Sequence, residues 1–326
     1  MRTLLGVCTL CGLAGAASGQ SLTAMGILPA GALPPGNEPP ASLCHGLSAN
    51  GQVAVGVGLW SPRIRPFRWT VAGAMAPMDY MPGVSNATVA YATSADGSVV
   101  VGTGTSNGVP NRALRWVGNT PSDLGRLTGG NQSYGSDVSD DGSAVCGMSE
   151  SASGLRAFRW TQTGGMVNLG TLAGKASSSA DAMSGDGNTV VGHAYSGSTD
   201  LRAFRWNAAD GIQDLGTLPG YTWLQANDAT HDGSLIVGVA VASGTPRAWK
   251  WTAATGLVDL GVAPGAGGAT ADNVSADGRV IAGTSGEAAI WTAGMGWMTL
   301  KRILNLSGVD TSGGGSMARP ECRRTG

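Results

Sequence analysis

The chain is short of what most enzymes use for chemistry. Its 326 residues include three histidines, five cysteines and three phenylalanines, and only 13% are charged. Lys+Arg 20 against Asp+Glu 21 leaves a net charge of −1, with no basic run. That excludes a nucleic-acid binder, which needs clustered positive charge to displace counterions. It also excludes a basic patch for a membrane surface. Cysteine is too scarce for a disulfide framework. After the first 20 residues no segment offers the ~20 apolar residues that span a bilayer.

Glycine is what the chain has in excess, with 54 residues against a usual share of roughly 7%. The glycines do not fall every third position, so collagen is excluded. A 42% hydrophobic content and ten tryptophans need a core, so disorder is excluded too. Many glycines among short apolar runs read as tight turns between short strands.

The N-terminus reads as a secretion signal over residues 1–19. Arg2 gives a positive start, residues 4–17 are apolar, and small residues 16–19 offer a cleavage site before Gln20. Cleavage removes Cys8 and Cys11, keeps Cys44, Cys146 and Cys322, and leaves no membrane span. The expected location is outside the cell, on its surface or in a periplasm.

A repeat sets the fold expected of residues 20–305. Its mark is Ser-x-Asp-Gly followed by an apolar run and a glycine, as in Ser94-Ala95-Asp96-Gly97 before Val99-Val100-Val101-Gly102. The turn glycines Gly51, Gly97, Gly142, Gly187, Gly233 and Gly278 are spaced 46, 45, 45, 46 and 45 residues apart. A second mark keeps step with the first: Phe67-Arg68-Trp69, Leu114-Arg115-Trp116, Phe158-Arg159-Trp160, Phe204-Arg205-Trp206, Trp249-Lys250-Trp251 and the worn Ala289-Ile290-Trp291. A third, such as Asp123-Leu124-Gly125 or Asn168-Leu169-Gly170-Thr171-Leu172, follows most of them. Each unit holds four strand candidates, in the fourth unit residues 179–184, 189–194, 202–207 and 212–218. Asp-Gly between the first two predicts a two-residue primed hairpin, which joins antiparallel neighbours. Four antiparallel strands in about 45 residues is the size of one propeller blade.

The predicted fold is therefore all-β, a β-propeller with six recognisable blades. Residues 21–31 resemble a fourth strand with no blade before it, an orphan that would complete an unfinished seventh. The tail, 306–326, matches no repeat.

Ser-x-Asp-Gly-x-Val-Val-Gly, then Ala-Phe-Arg-Trp, then Asp-Leu-Gly-Thr-Leu-Pro-Gly, resembles the bacterial HAF-type extracellular repeat family over residues 22–300. The tripeptide naming that family is altered, with Arg156 and Arg202 where His would stand. The resemblance implies an exported or cell-surface protein, some relatives being autotransporter-like. It carries over no catalytic residue.

Several repeated residues read as structure. Trp69, Trp116, Trp160, Trp206, Trp251 and Trp291 sit at one repeat position, as wedges between blades would. Trp60, Trp223 and Trp297 stand outside the motif and are better contact candidates. The repeat cations are expected to pair with Asp123, Asp214 and Asp259 on fourth strands, since a buried cation needs a partner. The turn carboxylates lack the several oxygen ligands of a calcium site, so neither metal nor cofactor is expected.

The informative variation lies on the first strand of each unit, which lines the channel of a propeller. Three residues before the motif Ser or Thr stand His45, Tyr91, Ser136, Asp181, Asn227 and Asp272. The next positions are Gly46, Ala92, Asp137, Ala182, Asp228 and Asn273. His45, Tyr91, Asp137, Asp181, Asn227, Asp228 and Asp272 are the candidate ligand-binding residues. The expected function is an interaction module whose partner is a polysaccharide or surface protein. A glycan-active enzyme using Asp181, Asp272 or His45 is the first alternative. A purely structural surface component is the second.

Overall fold

The computed structural model describes residues 42–60, 63–83, 87–106, 108–197 and 200–308. The expected leader, the strand-like segment 21–31, Cys8, Cys11 and Cys322 lie outside the described residues.

Six four-stranded antiparallel units follow one another at residues 42–77, 87–123, 133–168, 177–214, 223–259 and 269–299, called units 1 to 6 below. Within each, the strands pair in chain order. A short helix, Leu300–Leu306, capped by the Thr299 hydroxyl, packs on the last two strands of unit 6. Nothing in the repeat pattern announces it.

In unit 4 the strands run Ser177–Met183, Val190–Tyr195, Leu201–Asn207 and Gly211–Asp214. The fourth stops earlier than expected because Leu215 and Leu218 turn inward, 5% and 7% exposed, into the core shared with unit 5.

The link between first and second strands is not the two-residue turn that Asp-Gly suggested. In unit 2 it takes residues 94–98, between Thr93 and Val99. Ser94 Oγ donates to Asp96 Oδ1 at 2.7 Å and accepts from the Val99 N–H, while the same Asp96 oxygen accepts from the Ser98 N–H. Gly97 then takes φ +75°. Side-chain oxygens therefore close a wider turn, so Ser and Asp recur with Gly. These bonds hold the Asp96, Asp141 and Asp277 carboxyls below the usual range, and Asp232 at about 2.

Apolar clusters show where the core sits. Five lie between consecutive units; Val53, Val55 and Met78 of unit 1, for example, meet Ala90, Val100, Leu114 and Trp116 of unit 2. The sixth, Cys44, Ala54, Phe67 and Met75, belongs to unit 1 alone. Second strands are buried on both faces: Val99 and Val101 face unit 3, Val100 faces unit 1. Fully burying such a side chain contributes about 1.5–3 kcal/mol.

The third strands join each unit to both neighbours. Phe158 and Trp160 pack on unit 2, while Arg159 points the other way and donates to the Gly187 carbonyl of unit 4 at 2.8 Å. Arg68 and Arg115 reach Gly97 and Gly142 in the same manner. Arg115, Arg205 and Lys250 also lie over Trp160, Trp251 and Trp291 of the following unit, at 6.0, 5.3 and 4.7 Å.

This corrects the expected pairing with fourth-strand carboxylates. Asp123 and Asp214 bind Arg112 and Arg202 instead, each at 2.8 Å. Asp123 stands opposite Leu114, so it shares the face of Leu114 and Arg112, and Arg115 lies on the other.

Candidate functional site

Every first strand carries a β-bulge, and the bulge decides where the varied residues point. Strand register slips between Cys44 and Gly46, Ala90 and Ala92, Gly135 and Asp137, Ala180 and Ala182, Ala226 and Asp228, and Ala271 and Asn273. The extra residues are His45, Tyr91, Ser136, Asp181, Asn227 and Asp272, the six positions that differ most between units. A bulge bends the strand and re-aims its side chain. Its cost falls on the second strand, where a Cβ on Gly102 would lie 1.9 Å from the Val89 carbonyl oxygen. Only glycine fits there.

First strands pack on one another from unit 1 through unit 6 and gather around a common axis. There a cavity of about 20 Å³ is walled by all six units. Tyr91, Asp137, Asp181, Asn227 and Asp228 line it, with Ser136 and Asn273; His45 and Asp272 are not among its walls. His45 instead stacks on Tyr91, ring centroids 5.4 Å apart, with Nδ1 3.0 Å from the Ala90 carbonyl. Asp272 accepts from Thr270 Oγ1 at 3.2 Å. Burial, helped by Tyr134, pushes the Tyr91 phenol above its usual pKa.

The polar groups of the axis bind one another. Asp137 Oδ1 accepts from the Val138 N–H, and its Oδ2 accepts from Met183 N–H of unit 4 at 2.8 Å. Asp228 does the same with Ala229 and with Val274 of unit 6. Asn227 donates to the Ala271 carbonyl. Asp181 Oδ2 lies 2.6 Å from His193 Nδ1. Burial opposes charge on His193, but the adjoining Asp181 carboxylate outweighs it and raises the imidazole pKa. His193 stands opposite Ser179 in the ladder, two residues from the bulge, so hairpin register alone could have found this pair.

A second, larger cavity of about 40 Å³ opens at the end of the axis bearing the Ser-x-Asp-Gly turns. The x residues line it: Ala49, Ala95, Asp140, Gly185, His231 and Ala276. The turns are tied in a chain, Ala95 N–H to Asp140 O, Asp140 N–H to Gly185 O and His231 N–H to Ala276 O. Across them Asp140 Oδ2 meets His231 Nδ1 at 2.6 Å. A Cβ on Gly185 would sit 2.2 Å from that carboxylate oxygen. Sequence reading missed this pair, although four of the six x residues are small and only these two are charged or ionisable.

A single water needs roughly 10–15 Å³ and a ligand pocket about 300 Å³ or more. The two axial cavities, about 20 and 40 Å³, are of the size of a few waters. Of the three extra tryptophans, Trp297 is buried, 7% exposed, in the core between units 5 and 6, which removes it as a contact residue. Trp223 is half-buried where unit 4 meets unit 5. Among the described residues no three His, Cys, Asp or Glu are grouped to hold a metal, and no helix is long and apolar enough to cross a membrane.

No family model and no curated protein sequence matches the chain. Solved structures do. An oligogalacturonate lyase in complex with manganese superposes with a TM-score of 0.54 at 12% identity, covering 78% of this chain and 77% of that one. A prolyl endopeptidase gives 0.53 at 12% identity, with 81% of this chain and 41% of that one. TolB from Acinetobacter baumannii gives 0.49 at 15% identity; the chain covers 53% of its length, about half, and 67% of this chain is matched. At such identities the likeness shows the fold alone: all-β and propeller-like.

Proposed function

We propose that the chain is an exported interaction module whose six units are blades of a propeller, with its partner held on loops and not in the channel. The size of the axial cavities carries this reading: at about 20 and 40 Å³ they admit water but no sugar ring or side chain of a partner. The leader and the three motifs in fixed order support export and membership of the HAF-type repeat family. The partner is a polysaccharide or a surface protein.

The test is a polysaccharide and glycan array with the purified exported chain, after a cooperative melt has been recorded. Binding that is unchanged by Asp181→Asn supports a loop site. Binding abolished by Asp181→Asn, with the melt unchanged, moves the ligand to the axis and overturns the loop assignment. A folded chain that binds nothing removes the polysaccharide partner and favours a structural surface component.

A second reading, a glycan-active enzyme, rests on the carboxylate–imidazole contact of Asp181 and His193 at 2.6 Å. Such a pair can hold and move a proton. Turnover of a polysaccharide that disappears in Asp181→Asn and His193→Gln alike would establish it.

A further inference from the structure

The narrower cavity on the axis carries charge of one sign. Asp137, Asp181 and Asp228 put three carboxylates in its wall, and no lysine or arginine lines it among the described residues. Arginines stand further out, on the third strands, where Arg68, Arg115 and Arg159 bond turn carbonyls of the following unit. Asp181 has an imidazole beside it, His193 at 2.6 Å, while Asp137 and Asp228 bind backbone N–H groups, which are dipoles and not charges. A chamber lined by one sign of charge with low-dielectric walls focuses its field and concentrates counter-ions.

The same wall offers neutral oxygens. Asn273 is 6% exposed, and its Oδ1 is buried without a hydrogen bond. A buried acceptor in that position costs its full desolvation penalty unless something donates to it or is coordinated by it. Asn227 spends its Nδ2 on the Ala271 carbonyl, which leaves Oδ1 as its end for the cavity. Ser136 adds a hydroxyl. A volume of about 20 Å³ takes one body the size of a water molecule. We infer that this cavity binds one potassium ion, held by the oxygens of Ser136, Asn227 and Asn273 and by the field of the three carboxylates. Potassium is close to water in size and is readily taken by carbonyl oxygens that replace its hydration shell. Calcium asks for roughly six to eight oxygens with several carboxylates among them, and among the described residues no three acidic, imidazole or thiol groups are gathered for it. The ion leaves the loops free, so the site goes beyond the partner site proposed above and does not depend on it.

The experiment melts the purified protein in potassium, rubidium and tetramethylammonium chlorides at equal ionic strength. Tetramethylammonium is too large for a cavity of about 20 Å³. A ligand that binds only the folded chain raises Tm as its concentration climbs past Kd. At about ten times Kd, potassium and rubidium should hold Tm roughly 2–4 °C above tetramethylammonium. Asn273→Leu should melt no lower than the wild type in tetramethylammonium, because it removes an unpartnered acceptor, and should lose the gain from potassium. Equal melting in all three salts, or a gain that Asn273→Leu keeps, overturns the site. Calcium that raises Tm at far lower concentration than potassium also overturns it, in favour of a divalent ion. Crystals of the wild type grown in rubidium chloride give a direct readout that does not depend on how the variant folds. An anomalous peak on the axis beside Asn273 is expected, and an axis without that peak overturns the proposal.

Discussion

Four of the five junctions between consecutive described units, those after unit 2, are of two kinds. From unit 3 to unit 4 and from unit 5 to unit 6, a buried carboxylate, Asp137 or Asp228, crosses to a backbone N–H of the following unit. From unit 2 to unit 3 and from unit 4 to unit 5 the same position holds Ala92 or Ala182. All four have apolar clusters and a cation directed at the following unit, by the Arg159 bond or by stacking on a tryptophan. The carboxylate is thus an addition to a common joint, and it is never placed in two neighbouring units. Electrostatics accounts for the spacing: like charges side by side in a low-dielectric interior oppose each other's ionisation. Alanine holds this position between them, and the neighbour of Asp228 on its other side is the neutral Asn273.

Breaking the carboxylate joint should give the largest effect. Asp228→Ala leaves the Ala229 and Val274 N–H groups buried without an acceptor. Hydrogen bonds to a charged group contribute about 1.5–3 kcal/mol, so denaturant unfolding should show a loss of about 2–4 kcal/mol. The converse, Ala182→Asp, adds a carboxylate beside Asp181 at the position held by Asp137 and Asp228 in units 3 and 5, and should also destabilise. Two silent variants would mean that the two kinds of joint are energetically one.

The cation is next. Arg115→Ala at the alanine-type joint removes a bond to the Gly142 carbonyl, 3.0 Å long, and the stacking over Trp160. Each such contact is worth roughly 1 kcal/mol, so about 1–2 kcal/mol is expected in denaturant unfolding. Lysine should restore less than half, because an ammonium lacks the planar guanidinium fork. Full rescue by Arg115→Lys would show that charge alone matters there.

Much of this was legible in the chain. The period and the four strands of each unit follow from Ser-x-Asp-Gly and Phe-Arg-Trp. The bulges were not, because nothing in Ala90-Tyr91-Ala92 distinguishes an extra residue from a paired one. Only the glycine opposite, Gly102, records the close approach. The partners of Arg115 were misread because alternation along the strand was not followed across to Asp123. The Asp140–His231 contact joins residues 91 positions apart, beyond the reach of any local pattern.

A smaller effect separates the two alanine-type joints by pH. His193, in unit 4, has its pKa raised by Asp181. A raised folded value means that its contribution is complete below the unfolded pKa of about 6.5 and is lost as pH rises through the folded one. Tm should therefore fall as pH rises beyond about 6.5, and His193→Gln should abolish that slope while lowering Tm at pH 6. The turn aspartates work in the opposite sense. Their lowered values give stability that is present above about pH 4 and lost as pH drops through the folded values, about 2 for Asp232. A wild-type slope above about pH 6.5 that His193→Gln leaves intact would place the titrating group elsewhere.

The smallest effect is expected at the turn end of the axis. Asp140 and His231 are as close as Asp181 and His193, 2.6 Å in both cases, but their side chains are 38% and 53% exposed against 17% each. Water screens the outer pair, and exposed ion pairs contribute about 1 kcal/mol or less. Asp140→Asn should thus cost under ~1 kcal/mol, and that loss should shrink as salt is raised, since screening acts on exposed charges first. The turns keep their backbone chain in the variant, because Asp140 N–H and O, not its carboxylate, bind Gly185 and Ala95. Asp181→Asn should cost more and respond less to salt. A large, salt-independent loss in Asp140→Asn would make the turn ring a joint of the carboxylate kind, and the distinction between joint and channel mouth would fail.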